Sequence, residues 1–157
     1  MLAAQAEVES ESVSLILQLH HRRLDELFDR VEIATEIGSW SEARREFEQF
    51  RTALEEHFRI EEEFMFPSFE AFTRALGGPT AAMRAEHREL GRFLDLIERL
   101  LRDEQPIGEI GAAFEALLDT HNAKEEQGLY PLFERHAPPE AYAALDLELR
   151  SPIVETK

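Results

Sequence analysis

The chain has 157 residues, no cysteine, 43% hydrophobic residues and a formal net charge of −16. This length and hydrophobic content fit one globular domain and exclude a disordered chain. The absence of cysteine excludes disulfides, iron–sulfur clusters and cysteine-ligated zinc, and the acidity disfavours nucleic acids and anionic membranes as partners.

The N-terminal residues 1–11 are expected to form a flexible acidic leader. They lack the basic region and apolar run of a signal peptide. No stretch of the sequence approaches the ~18 uninterrupted apolar residues that a membrane span needs. A cytoplasmic location is therefore the default expectation.

Helix periodicity begins near Ser12, and apolar residues recur at spacings of three and four over residues 12–37. Gly38 is expected to end this helix. Ser39 stands three residues before Glu42, which is the spacing of a capping box and predicts the start of a second helix. Pro67 is expected to end or kink that second helix.

The second half of the chain repeats this organisation. A short helical stretch to about Leu76 and the break Gly77-Gly78-Pro79 precede a third helix over residues 80–102. A fourth helix is predicted for residues 107–133. A short last helix over residues 140–149 is expected to cap the bundle or to form a dimer contact, so we expect a monomer or a weak homodimer.

These elements predict an all-α fold, an up-down-up-down four-helix bundle with a short additional C-terminal helix. The bundle is expected to span residues 12–136, with the short helix and a loose tail over residues 137–157.

An internal repeat is the most informative feature of the sequence. The pattern His-x-x-x-Glu occurs at His57 and Glu61 and again at His121 and Glu125, 64 residues later. In both copies an aromatic-Pro pair stands five and six residues after this glutamate. Each copy is preceded by a helix with one inward histidine, and these histidines are His21 and His87.

The positions of the histidines relative to the turns provide a geometric test. Residues of two antiparallel helices lie at one level when they are equally far from the turn. The midpoint of His21 and His57 is position 39, and the midpoint of His87 and His121 is position 104, and both fall in predicted turns. All four histidines are therefore expected at one level of the bundle. Glu61 is expected one helical turn from His57, and Glu125 one helical turn from His121.

Buried carboxylates need a positive partner, because an isolated ionised carboxylate is very costly in an apolar interior. The apolar stripes contain no lysine or arginine, so the sequence predicts bound cations. The two-fold repeat suggests two metals, each held by two histidines, with both glutamates bridging. An oxo or hydroxo bridge would leave one open position on each metal, which favours redox-active iron over zinc. The predicted ligands are His21, His57, Glu61, His87, His121 and Glu125.

Each of these residue types also has a simpler structural interpretation. A single inward histidine is usually a core residue, and a single His-x-x-x-Glu is usually a surface pair. His20 is expected at the surface or beside the site, and His136 at the surface. Glu62, Glu63 and Glu126 are expected to face solvent, although Glu62 or Glu126 can reach the site through a hydrogen bond.

Residues selected by helical offset as supporting the ligands or lining an access route are Leu17, Leu24, Leu54, Met83, Leu90, Leu118 and Leu129.

The two paired motifs resemble those of the hemerythrin family, specifically its HHE cation-binding branch, over about residues 12–135. The resemblance implies an oxo- or hydroxo-bridged di-iron centre that handles O2, hydrogen peroxide, nitric oxide or iron. Two features depart from the oxygen-carrying hemerythrins: Met83 stands where they have a fifth histidine, and Glu125 replaces an aspartate placed one residue later. The more symmetric site favours redox chemistry over O2 transport.

The sequence therefore predicts a non-haem di-iron protein that reacts with O2 or hydrogen peroxide, with redox or catalase-like chemistry. The alternative is a non-catalytic sensor, binding or storage module for O2, nitric oxide or iron, so enzyme activity stays open. A ferritin-like site is rejected because no carboxylate stands three residues before any histidine. A metal-free structural bundle is the remaining alternative.

Overall fold

The structure, a computed structural model, describes residues 12–73 and 78–150, and these residues are helical apart from short turns, with no strand among them. The helices are α1 (Val13–Glu36), α2 (Trp40–Ile60), α3 (Phe66–Thr73), α4 (Pro79–Arg102), α5 (Gly108–Lys124), α6 (Tyr130–His136) and α7 (Pro139–Arg150). Two π-helical segments, Glu61–Met65 and Glu125–Leu129, join α2 to α3 and α5 to α6.

Several predicted features lie outside the described residues. They are the acidic leader over residues 1–11, the tail after residue 150, and the end of the short helical stretch at Leu76 with its neighbour Gly77. Within the described ranges, no helix is both long and apolar enough to cross a membrane.

Both hairpin turns end a helix through a residue in the left-handed region. Gly38 has φ 74° after α1, and Glu104 has φ 54° after α4. In the first turn the Ser39 amide donates to the Ala34 carbonyl at 2.9 Å, and in the second the Gln105 amide makes the equivalent bond to the carbonyl of residue 100 at 2.8 Å. These are the six-to-one hydrogen bonds of a Schellman turn. Glycine suits this backbone conformation, whereas a glutamate strains it.

The helix starts follow the predicted positions, with one correction. The Ser12 hydroxyl accepts a hydrogen bond from the Leu15 amide at 3.1 Å and caps α1. Ser39 does precede α2, but its side chain makes no capping hydrogen bond, so the predicted capping box with Glu42 is wrong. Backbone bonds replace it, because the Ser39 amide closes the turn and its carbonyl accepts from the Ala43 amide at 2.8 Å.

Ring contacts show that the consecutive long helices run antiparallel. In α1 and α2, Phe28 lies 5.0 Å from Phe50 and His21 lies 4.9 Å from His57, measured between ring centroids. Both pairs are centred on position 39, as antiparallel pairing requires. In α4 and α5 the corresponding pairs are Phe93 with Phe114 at 6.2 Å and His87 with His121 at 4.9 Å.

Two apolar clusters lie on either side of the histidine level. The cluster nearer the hairpin turns is built around the fully buried aromatic residues Phe28, Phe50 and Phe114. The other contains Val13, Phe66, Phe133 and Leu145 among its buried members.

The C-terminal helix α7 closes the second cluster. Leu145 is fully buried there, and the Tyr142 ring stacks on Phe133 at 6.1 Å. Arg59 of α2 donates to Glu148 of α7 at 2.5 Å. Of the two roles predicted for this helix, packing against its own chain is therefore observed.

Of the two outcomes predicted for Pro67, an end or a kink, the end is not observed, because the helical path continues past Pro67 to Thr73. Proline cannot donate a backbone hydrogen bond, and its ring crowds the preceding turn of an α-helix. Here the wider turn Glu61–Met65 precedes the proline, and the Phe66 amide donates to the Glu61 carbonyl five residues earlier. Pro131 follows the second π segment in the same way.

Candidate metal centre

All six predicted ligands converge in the interior, where none has more than 5% of its surface exposed. Their donor atoms form two groups of four, each with all donors within 4.8 Å of one another. The first group is His21, His57, Glu61 and Glu125, and the second group is Glu61, His87, His121 and Glu125. Both glutamates belong to both groups, which is the arrangement that two bridging carboxylates require.

Each glutamate directs one oxygen towards each histidine pair. Glu61 places Oε2 3.3 Å from His57 Nε2 and Oε1 3.1 Å from His87 Nε2. Glu125 places Oε1 3.2 Å from His21 Nε2 and Oε2 3.1 Å from His121 Nε2. The four imidazoles thus present their Nε2 atoms to two neighbouring positions that share the carboxylates.

The donor atoms of the second group are unsatisfied by the protein. Glu61 Oε1, His87 Nε2, His121 Nε2 and Glu125 Oε2 are buried, and none has a hydrogen-bond partner among the described residues. Buried polar atoms are almost always paired, so four such atoms facing one point require an explanation. Imidazole nitrogens and carboxylate oxygens are ordinary ligands of divalent cations. The donor set therefore fits a metal ion.

Three of the four histidines are oriented by a carboxylate on their outer nitrogen. The Nδ1 atom of His21 lies 2.6 Å from Glu126, that of His87 lies 2.7 Å from Glu62, and that of His121 lies 2.7 Å from Glu86. Such carboxylates fix the ring tautomer and turn Nε2 towards the metal position. The hydrogen bonds of Glu62 and Glu126 agree with the expectation that either residue can reach the site in this way.

Glu86 was not identified from the sequence. It stands one residue before His87 but serves His121 on the neighbouring helix, and it also pairs with Lys124 at 2.6 Å. Helical offset along one chain segment does not reveal such a contact between helices. Phe58 was likewise missed, and its ring stacks on His87 at 3.9 Å.

His57 differs from the other three histidines. Its Nδ1 atom is buried and has no hydrogen-bond partner among the described residues. His20 lies beside it, with ring centroids 5.7 Å apart, and both line a cavity of about 90 Å³ together with Arg23, Glu56 and apolar side chains. Burial lowers the pKa of His20 to about 4, so its imidazole is neutral at neutral pH. His20 thus lies beside the site, whereas His136 is exposed.

The electrostatics of the cluster favour positive charge. Burial lowers the pKa of His87, but the neighbouring carboxylates of Glu61 and Glu62 outweigh burial and raise the pKa to about 9. The pKa values of His21 and His121 are raised in the same way, since the neighbouring Glu125 carboxylate outweighs burial. For Glu61, burial raises the pKa, but the charge of His57 and the contacts with the imidazoles hold it well below its ordinary value. A cation would meet the same attraction as these protons.

Tyr130 lies within the cluster and was not predicted as a site residue. Its hydroxyl is fully buried, donates to Glu61 Oε2 at 2.5 Å and lies 2.9 Å from Glu125 Oε1. It is also 3.0 Å from His21 Nε2 and 3.4 Å from His57 Nε2. Burial and the two carboxylates raise the pKa of this phenol well above its ordinary value.

The π-helical segments explain both the missed tyrosine and the place of the glutamates. Each segment begins at a ligand, Glu61 or Glu125. In an α-helix, residues five apart point in different directions, whereas a π turn brings them to one face. Tyr130 therefore faces the site with Glu125, and Phe66 takes the matching position after Glu61, 5.6 Å from the His87 ring. The aromatic-Pro pairs were visible in the sequence, but an α-helical wheel misplaces them.

The seven residues selected as supporting or access residues are all buried next to the histidine level. Leu24, Leu54, Leu90 and Leu118 belong to the cluster near the hairpin turns. Leu17, Met83 and Leu129 belong to the other cluster. Leu24 also lines the cavity beside His57. A role in small-molecule access stays a prediction.

The fold and the cluster together define an all-helical protein with a buried histidine and glutamate site able to hold a metal. The family model of the hemerythrin HHE cation binding domain matches residues 13–137, and the chain belongs to this family. No curated protein and no solved structure matches the chain significantly.

Proposed function

We propose that this chain is a non-haem di-iron protein that reacts with hydrogen peroxide or O2. The observation that carries the proposal is the pair of four-donor groups that share Glu61 and Glu125. In this assignment one iron is held by His21 and His57, the other by His87 and His121, and both glutamates bridge. The scaffold is an up-down-up-down four-helix bundle, which the antiparallel ring pairs around both hairpin turns support.

The donor chemistry supports iron as the metal. The set combines four imidazoles with two carboxylates and contains no thiolate, which suits iron among the redox-active metals. Each metal position has four protein donors in its group, so a six-coordinate ion would retain room for a small molecule. Closed structural zinc sites, by contrast, use four donors in a tetrahedral arrangement and leave no such room.

The reaction proposed is the disproportionation of hydrogen peroxide. One peroxide molecule takes up two electrons and two protons and becomes two water molecules, while a second gives up two electrons and two protons and becomes O2. A bound iron pair supplies the two-electron exchange. The chain supplies the buried apolar surroundings, the imidazoles and the carboxylates Glu62, Glu86 and Glu126 that keep these imidazoles in position.

The experiment is a peroxide assay on iron-loaded protein with a matched control. We expect the wild-type chain to clear hydrogen peroxide faster than the same concentration of free iron. Glu61→Ala should lose this activity together with bound iron, because the residue contributes to both groups. Glu63→Ala removes the same charge from an exposed neighbour and should keep it.

The alternative is a sensor, binding or storage module, and the same samples distinguish it. Such a module would bind two irons and show a stoichiometric spectral change with O2, peroxide or nitric oxide. It would not turn over. Peroxide clearance no faster than free iron, at full iron content, would therefore overturn the proposed activity and leave the metal centre intact.

A further inference from the structure

The hydroxyl of Tyr130 lies among the donor atoms of only one of the two groups. It is within 3.4 Å of all four donors of the His21 and His57 group. We propose that Tyr130 is a seventh protein ligand, whose oxygen binds the iron held by His21 and His57. This inference rests on the proposed di-iron centre and makes its two metal positions chemically different.

The four distances from the hydroxyl are those expected between ligands of one ion. Ligand atoms about 2.1 Å from a metal and at right angles to each other lie about 3.0 Å apart. The measured separations run from 2.5 Å to Glu61 Oε2 to 3.4 Å to His57 Nε2. An oxygen at this spacing from four donors occupies the place of a fifth ligand above them.

Hydrogen bonding satisfies only part of this position. A phenol can donate a single hydrogen bond, but two carboxylate oxygens, Glu61 Oε2 at 2.5 Å and Glu125 Oε1 at 2.9 Å, lie beside it. A metal ion bound to these carboxylate and imidazole atoms would occupy their lone pairs, so they could no longer accept a hydrogen bond from the phenol. The phenolic oxygen, which is fully buried beside two carboxylates, would then be stabilised most by binding the cation itself.

The two halves of the chain differ at this point. Phe66 is the counterpart of Tyr130 after the first His-x-x-x-Glu motif, and it has no oxygen to offer. The donors of the second group correspondingly have no hydrogen-bond partner, whereas those of the first group face the phenol. The iron held by His87 and His121 is thus the one left with more room for a small molecule.

The binding step exchanges a proton for a metal bond. The O–H bond of Tyr130 breaks, its proton leaves to solvent, and an oxygen lone pair forms the bond to iron. The oxidation state does not change in this step.

The test uses colour, because a phenolate bound to iron(III) gives a visible charge-transfer band. The chain has two tyrosines, Tyr130 and Tyr142. The Tyr142 hydroxyl bonds to Glu134, outside the candidate metal centre. We expect iron(III)-loaded wild-type protein to show this band and the phenolate ring modes in resonance Raman spectra. Tyr130→Phe should lose both, and the matched Tyr142→Phe should keep both.

Each outcome decides the inference. Wild-type protein with two irons and no phenolate signature overturns it, and this measurement does not depend on whether the variant folds. A single iron without the signature means that the phenol takes the place of the other metal, which also overturns it. A chain that binds no iron refutes the metal centre itself, so metal analysis separates the two proposals.

Discussion

Removal of the Glu62 carboxylate tests how the outer carboxylates support the site. Glu62 accepts from His87 Nδ1 at 2.7 Å and is 37% exposed, so Glu62→Ala should fold normally while leaving the His87 ring without its partner. Loss of such a partner typically weakens metal binding by about tenfold to a hundredfold. Partial exposure places Glu62 near the lower limit, at about tenfold or about 1.4 kcal/mol of binding free energy.

A competition titration with a chromophoric chelator measures this effect one metal at a time. Because Glu62 serves only His87, one of the two metal equivalents should weaken more than the other. Glu63→Ala is the matched control, since Glu63 is exposed and pairs with Arg59 rather than with the cluster. Equal affinities of Glu62→Ala and Glu63→Ala for both equivalents would refute the reasoning.

Two stability predictions follow from strained or repelling residues outside the candidate metal centre. Burial and the neighbouring Glu32 raise the pKa of Glu115 from 4.5 to about 7, so the folded state binds its proton more tightly than the unfolded state does. The free energy of unfolding should therefore fall as pH rises from about 4.5 to about 7. Glu115→Gln should raise the melting temperature at pH 8 but not at pH 4. An equal effect of this substitution at both pH values would contradict the prediction. Glu104 has φ 54°, so Glu104→Gly should stabilise the chain by under about 1 kcal/mol in chemical denaturation. Glu104→Ala keeps the Cβ atom and should give no such gain, and a gain in both variants would point to the lost charge instead.

The sequence was sufficient for the helices and for the six clustered residues because both depend on regular spacing. Apolar residues three and four apart identify a helix face, and equal distances from a turn place His21 and His57 at one level. The same reasoning applies to His87 and His121. Two copies of one motif made the interpretation specific where one copy would not.

The parts of the fold and the site that were not predicted depend on structural features that regular residue spacing does not encode. Two π turns, each beginning at a glutamate of the cluster, shift every later residue round the helix, so Tyr130 could not be placed from an α-helical pattern. The first of these turns carries the helical path past Pro67, which the sequence alone suggested as an end or a kink. Glu86 of α4 contacts His121 of the neighbouring helix α5. Such a contact depends on how the two helices are rotated relative to each other, which the sequence of neither helix specifies.

Iron analysis combined with Mössbauer spectroscopy of the aerobically purified chain tests the central claim most directly. The arrangement of two donor groups that share Glu61 and Glu125 predicts two irons per chain, magnetically coupled through their bridges. Uncoupled iron, or iron at one equivalent per chain or less, would contradict it.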